Sequence, residues 1–260
     1  MSTATKTEKP ILFSTEMVQA ILDGRKTVTR RVIKADEKGH VCRGGTCIEL
    51  HEEYGLVWRP YGGSPLREYP DPEEYCPYGY PGQELWVRES WRPIAWDCDR
   101  AYWKIQYKTG DEVVFHDQLY PPENPKDQDL HLRLHDELKE KGAPELDREE
   151  GGWSTETIKE HLAWKPSIHM PRGASRIQLK VEDIRVERVQ DITEGDIEKE
   201  GADIHWRRNL SYVNVDSHVK PSPTKWFREL WDQINADRGY PWESNPWVWV
   251  VEFSIKNIKE

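Results

Sequence analysis

The stretch "NPWVWVVEFSI", 245–255, constrains the fold more than any other part of the sequence. Read as a strand, it sets Trp247, Trp249, Val251 and Phe253 on one face and Val248 and Val250 on the other. A strand wetted on one side alternates apolar and polar residues; this one is apolar on both. It therefore belongs inside a sheet, covered on both faces, near the end of the 260-residue chain.

The other periodic segments supply neighbours for such a strand. "TEMVQAILD", 15–23, places Met17, Val18, Ile21 and Leu22 on one helical face, with Thr15 as N-cap and Gly24 as the stop. "TVTRRVI" follows as a β-branched strand. "ELWVRESW" (84–91), "RAYWKIQYK" (100–108) and "EVVF" (112–115) read as a meander. In "ASRIQLKVEDIRVERVQ", 174–190, Ile177, Leu179 and Val181 alternate before Ile184 and Val186 resume out of phase, which predicts two strands or a bend. "DITEGDIEKEG", 191–201, carries a Thr193/Asp196 pair that predicts a capped short helix. Ser222-Pro223 starts a helix to about 236, with Trp226, Phe227, Leu230, Trp231 and Ile234 as its apolar stripe.

Two stretches break the pattern. Residues 35–80 are rich in Gly, Pro, Tyr and charge and read as an irregular excursion. Residues 116–163 are polar, with a helix predicted through "DLHLRLHDELKEKG" and the remainder a mobile or peripheral loop. The class implied is α+β, one domain over 1–260: a small, strongly twisted sheet with short flanking helices and two irregular insertions.

Charge and cysteine content narrow the function. The net charge is -10, and residues 121–160 alone hold six Lys/Arg against twelve Asp/Glu, so the rest of the chain is much closer to neutral. A broad polyanion-coating surface is excluded, whereas a locally basic cleft is not. There is no apolar run of membrane-spanning length and no signal-peptide core, so the expectation is a soluble, cytoplasmic protein without a membrane partner. The four cysteines are expected as free thiols, or as a zinc knuckle formed by His40, Cys42, Cys47 and Cys76. No other cofactor is implied. Thirteen Trp and eleven Tyr against four Phe suit either a β-rich core or a base-stacking cleft.

The basic turn "LDGRKTVTRRVI", 22–33, carries Arg25, Lys26, Arg30 and Arg31 beside Thr27 and Thr29. A lysine whose ammonium is partly desolvated, or crowded by cations, can accept the proton of a threonine hydroxyl, and the activated oxygen can attack an amide carbonyl. The same cations could instead offset the dipole at the end of the preceding helix. Positions three apart face opposite sides of a regular strand, so the turn after Gly24 must reorient Lys26 for it to meet Thr29. Glu89 and Trp91 share a face while Arg88 takes the other, and Trp91 serves either as core or as stacking platform. "PSIHMPRGASR", with His169, Arg172, Ser175 and Arg176, either borders the cleft or simply enters a strand.

The combination of "ILDGRKTVTRR", "PGQELWVRESW", a strand leading into "DITEGDIEKEG", and "PWVWVVEF" resembles the ASCH domain of the PUA-like superfamily, and is particularly similar to its phage and prophage proteins. The resemblance covers about 10–34, 81–92, 164–201 and 224–255, and leaves the two insertions unexplained. It implies a twisted β-barrel whose "GRKT" cleft binds a nucleobase, a modified nucleoside or single-stranded RNA. By similarity to an N4-acetylcytidine amidohydrolase of that family, it implies a catalytic set of Lys26, Thr29 and Glu200, with Glu194 and Glu198 competing for the last place. Arg25, Arg30, Arg88, Glu89, Trp91, Arg172 and Ser175 then become candidate substrate contacts. A binding module without catalysis, and more distantly a nuclease, use the same residues.

Overall fold

The computed structural model describes residues 8–37, 39–43, 46–51, 55–57, 72–97, 102–110, 112–116, 130–145, 153–202 and 223–259. Its strands are β1 (Lys9–Leu12), β2 (Val28–Val32), β3 (His40–Arg43), β4 (Thr46–His51), β5 (Gly55–Val57), β6 (Glu84–Arg88), β7 (Trp91–Asp97), β8 (Tyr102–Tyr107), β9 (Glu112–His116), β10 (Ile177–Arg188) and β11 (Trp247–Ile258). The α-helices are α1 (Thr15–Leu22), α2 (Pro72–Tyr75), α3 (Leu130–Glu140), α4 (Thr155–His161), α5 (Glu194–Lys199) and α6 (Pro223–Asn235). The architecture is mixed α+β with three sheets, and among the described residues none of them closes into a barrel. The chain divides into two compact units, one of Met1–Gln19, Glu84–Leu179 and Ile255–Glu260, the other of Ala20–Gln83 and Lys180–Ser254.

In the first unit β1 runs parallel to β6, with Lys9 opposite Leu85 and Leu12 opposite Arg88, and β6 borders β10. Ile11 is buried between exposed Pro10 and Leu12, and Ile177 and Leu179 are buried in alternation, the period-two signature of a strand covered on one side, whereas β6 buries Leu85, Trp86 and Val87 in succession. Of the predicted meander, β8 and β9 pair as expected, but "ELWVRESW" supplies β6, which pairs with β1 in another sheet. The third strand of the meander is β7, with a register shift between Pro93 and Ala95 where proline has no N–H to pair. Trp91, Trp103 and Tyr107 pack there with Leu134 and Leu138 of α3 and Ile158 of α4. Helix α4 corrects the loop expected over this stretch. Its seven residues are too few to show a periodicity, yet Ser154 caps it through the Thr157 N–H and Ile158 is buried.

In the second unit the strand order is β10-β11-β2, with Val248 opposite Val32 and Glu252 opposite Val28 in antiparallel register. β11 is thus flanked on both edges, the interior place its two apolar faces require. Val28, Val248 and Val250 pack with Ile197 of α5, Phe227 and Trp231 of α6, and Trp242. β10 is one continuous strand rather than two. The expected phase slip falls at Glu182 and Asp183, both exposed, between buried Val181 and Ile184.

The first insertion is not wholly irregular. It contains the antiparallel sheet β3-β4-β5, whose strands are too short and too charged to announce themselves, although Val41 and Ile48 alternate inward. Cys42 and Cys47 face each other across β3 and β4 and form a disulfide. This overturns the zinc reading of His40, Cys42, Cys47 and Cys76, because two of the four ligands are consumed as a covalent pair. Among the described residues no group of three or more His, Cys, Asp or Glu could hold a metal. Nor is any described helix long and apolar enough to cross a membrane.

Candidate functional site

Helix α1 ends in a left-handed turn at Gly24, with φ +71°, and the N–H groups of both Arg25 and Lys26 donate to Ala20 O at 2.9 Å. This bifurcated ending aims Lys26 at Glu200, with which it forms an isolated antiparallel bridge. On the opposite side, Thr193 and Asp196 cap α5 reciprocally, as the sequence predicts, and Glu200 is the C-cap residue. Gly201 follows at φ +101°, and a Cβ there would lie 2.9 Å from the Ala20 Cβ and 3.1 Å from the Lys26 Cβ. The absence of a side chain at 201 lets the two chain segments meet.

Lys26 is 1% exposed. Its Nζ donates to Glu200 Oε2 at 2.7 Å and to the carbonyls of Val28 and Glu200 at 2.9 Å each, so each of its three protons has an acceptor. The Glu200 carboxylate also receives Arg30, Nη1 to Oε1 at 3.3 Å. Arg30 Nη2 lies 3.1 Å from Glu187 and 3.2 Å from Asp196. Arg25 donates to Gly201 O at 2.6 Å and pairs with Asp23, clamping the turn that carries Glu200. Burial pushes the Lys26 ammonium below the usual lysine range; Glu200 opposes that shift, and Arg31 and Arg30 add to it. Arg31 is held down chiefly by burial, with Tyr78 and Glu200 acting against it.

Of the three glutamates eligible to join Lys26, Glu200 is the one that meets it. Glu194 and Glu198 sit on the exposed surface of α5. Thr29 is buried, 2% exposed, opposite Val251. Strand alternation sets it and Arg31 on the face of β2 away from Val28 and Arg30. Lys26 Nζ, however, is held at the edge of β2 by the Val28 carbonyl, because the neighbouring Thr27 carbonyl accepts from Phe253 N on the β11 side. The carboxylates Glu187 and Asp196, which pair with Arg30, escape the sequence reading: Asp196 reads only as part of the cap of α5, and Glu187 carries no local pattern that marks it.

The remaining candidates belong to the first unit. Glu89 and Arg176 form a buried bidentate pair, 3.0 Å at each contact, and the guanidinium lies 4.3 Å from the Tyr107 ring centroid. Tyr107 donates to Ala174 O at 2.6 Å, and burial pushes its phenol well above the usual range. Trp91 is core, 1% exposed. Ser175 Oγ donates to Val87 O at 2.8 Å, which ties β6 to the start of β10. The "PSIHMPRGASR" segment is two single 3-10 turns, Ser167–His169 and Arg172–Ala174, that lead into β10. His169 is exposed, Arg172 pairs with Glu8, and Arg88 stacks over Trp86 at 4.7 Å. Comparison with protein-family models, curated proteins and solved structures yields no match in any of the three.

Proposed function

We propose that this chain is an ASCH-like protein of PUA-like type that binds a nucleobase or nucleoside at the Lys26–Glu200 site and removes the acyl group from an N4-acylated cytidine. The observation that carries this reading is the buried Lys26–Glu200 pair: residues 174 apart in sequence, 2.7 Å apart in space, with the lysine pushed toward its neutral form. A neutral amine is what a general base must be. Lys26 takes the Thr29 hydroxyl proton as Thr29 Oγ1 attacks the amide carbonyl. The amide C–N bond then breaks, the proton passes to the departing cytosine N4, and the acyl-Thr29 ester remains. Water, oriented by Glu200, gives up a proton to Lys26 as it attacks that ester, the acyl–Oγ1 bond breaks, Lys26 returns the proton to Thr29 Oγ1, and the carboxylic acid leaves. Attack requires Lys26 Nζ to swing from the strand edge to the Thr29 face, which loss of its proton permits by weakening its hold on Glu200.

Saturation of the network favours a second reading. Lys26 and Arg30 are engaged by carboxylates of the chain itself, so an RNA phosphate would have to compete with them. In that case the site recognises an uncharged base without turning it over. Incubation with N4-acetylcytidine separates the two: release of cytidine and acetate by the intact protein, lost in Lys26→Ala, is the expected result. No turnover of any acylated nucleoside, with binding retained, leaves the module without catalysis.

A further inference from the structure

Trp86 and Arg88 stand two residues apart on β6 and so share one face, while Leu85 and Val87 are buried on the other. The guanidinium carbon of Arg88 lies 4.7 Å from the Trp86 ring centroid, and that of Arg172, reaching from its 3-10 turn, 6.0 Å from the same ring. Both are cation–π distances. The indole is 7% exposed, so it is covered by guanidiniums rather than offered to a stacking base. Lys259 adds a third cation: its N–H donates to Arg176 O at 2.8 Å, which seats it beside the entry of β10. Glu8 serves two of these cations. It pairs with Arg172, accepts from Gln178 Nε2 at 2.9 Å, and draws the Lys259 ammonium toward its charged form. Burial and the Arg172 charge push Lys259 the other way, and together they prevail.

We propose that Arg88, Arg172 and Lys259 form a phosphate-binding subsite of the first unit. The Arg88 and Arg172 guanidiniums that share the Trp86 ring repel each other, the Arg172 charge also disfavours the Lys259 ammonium, and an added anion relieves that repulsion. Planar guanidiniums match phosphate oxygens in pairs, with Lys259 as the point charge. Because Trp86 is shielded, the ligand is held through its phosphate and not through a base. That group comes either from a phosphomonoester or from the phosphodiester backbone of a single strand.

Calorimetric titration of the full chain at low ionic strength, once with inorganic phosphate and once with a short oligouridylate, tests the subsite. Saturable binding of at least one probe is expected, weakened about ten-fold or more in Lys259→Met and in Arg172→Gln. Glu8→Gln should bind several-fold more tightly, since it removes the competing negative charge while keeping an acceptor for one of its two hydrogen bonds; loss of a merely structural contact would not tighten binding. Phosphate binding assigns the monoester; oligouridylate binding alone, steeply salt-dependent, assigns the diester. Absence of binding for both probes, or unchanged affinity in variants that melt like the native chain, overturns the proposal. Lys26→Ala should leave phosphate binding unchanged, so failure of the acyl-cytidine reading and failure of this one are separately visible.

Discussion

Lys26 carries the sharpest consequences at the scale of single residues. Its ammonium is depressed below the ordinary lysine value of 10.5, so the unfolded chain binds a proton that the folded chain resists in the interval between the two values. Stability contributed by this site therefore rises as pH climbs through that interval toward 10.5, and the penalty is fully present below the folded-state value. Denaturant melts of native protein and Lys26→Met across mildly alkaline pH should show a rising difference in favour of the native chain. Parallel curves would mean that Lys26 titrates as an ordinary lysine. Hydrolysis, on the proposed mechanism, should rise over the same interval as the base becomes neutral. Thr29→Ala and Lys26→Ala should each abolish nearly all turnover, and the double variant should be little worse than either, as expected of groups acting as one unit. Additive losses would separate the two residues.

The junction between α1 and α5 decides whether the site exists at the scale of elements. Gly201 combines a left-handed backbone with a contact that leaves no room for Cβ against Ala20, whose own Cβ cannot move aside. Gly201→Ala should destabilise by about 1–3 kcal/mol from backbone strain alone and should displace Glu200 from Lys26. Thermal melts combined with the activity assay check both parts, and a variant with native stability and turnover would contradict the close approach. Removing the cap on the other end of α5 is milder: Thr193→Ala should cost about 1 kcal/mol, because the Asp196 N–H loses its acceptor. Its effect on turnover should be small, since Glu200 is held at the C-terminal end by Lys26, Arg30 and the bridge itself.

For the whole molecule, β11 is the strand on which the second unit depends. It is flanked by β10 and β2, and it buries Val248, Trp249, Val250, Val251 and Phe253. Each such side chain contributes about 1.5–3 kcal/mol by leaving water, against a typical total stability of about 5–15 kcal/mol. A chain ending at Asn245 should therefore fail to fold. Cooperative melting of a soluble 1–245 fragment would show that β11 is dispensable.

Elements with strong local periodicity are legible in the amino-acid sequence: α1, α6, the strands β8 and β9, the cap of α5 and the interior place of β11 all follow from spacing that a short window displays, whereas the partner of β8 on its other edge, β7 instead of β6, is set by tertiary pairing. Pairing within the first insertion and helix α4 are not legible, because strands of three to six residues and a helix of seven offer too few repeats for a period to stand out. The disulfide is hidden for another reason. Cysteine count and spacing cannot say that Cys42 and Cys47 fall opposite each other in a hairpin; only the register does. At the site, the order of residues determines that cations and hydroxyls gather at a turn behind a helix. It cannot choose among Glu194, Glu198 and Glu200, nor bring Glu187 and Asp196 to Arg30. Tertiary structure makes those choices, since long-range ion pairs depend on which backbone segments meet, and Gly201 and the bridge to Lys26 bring them together.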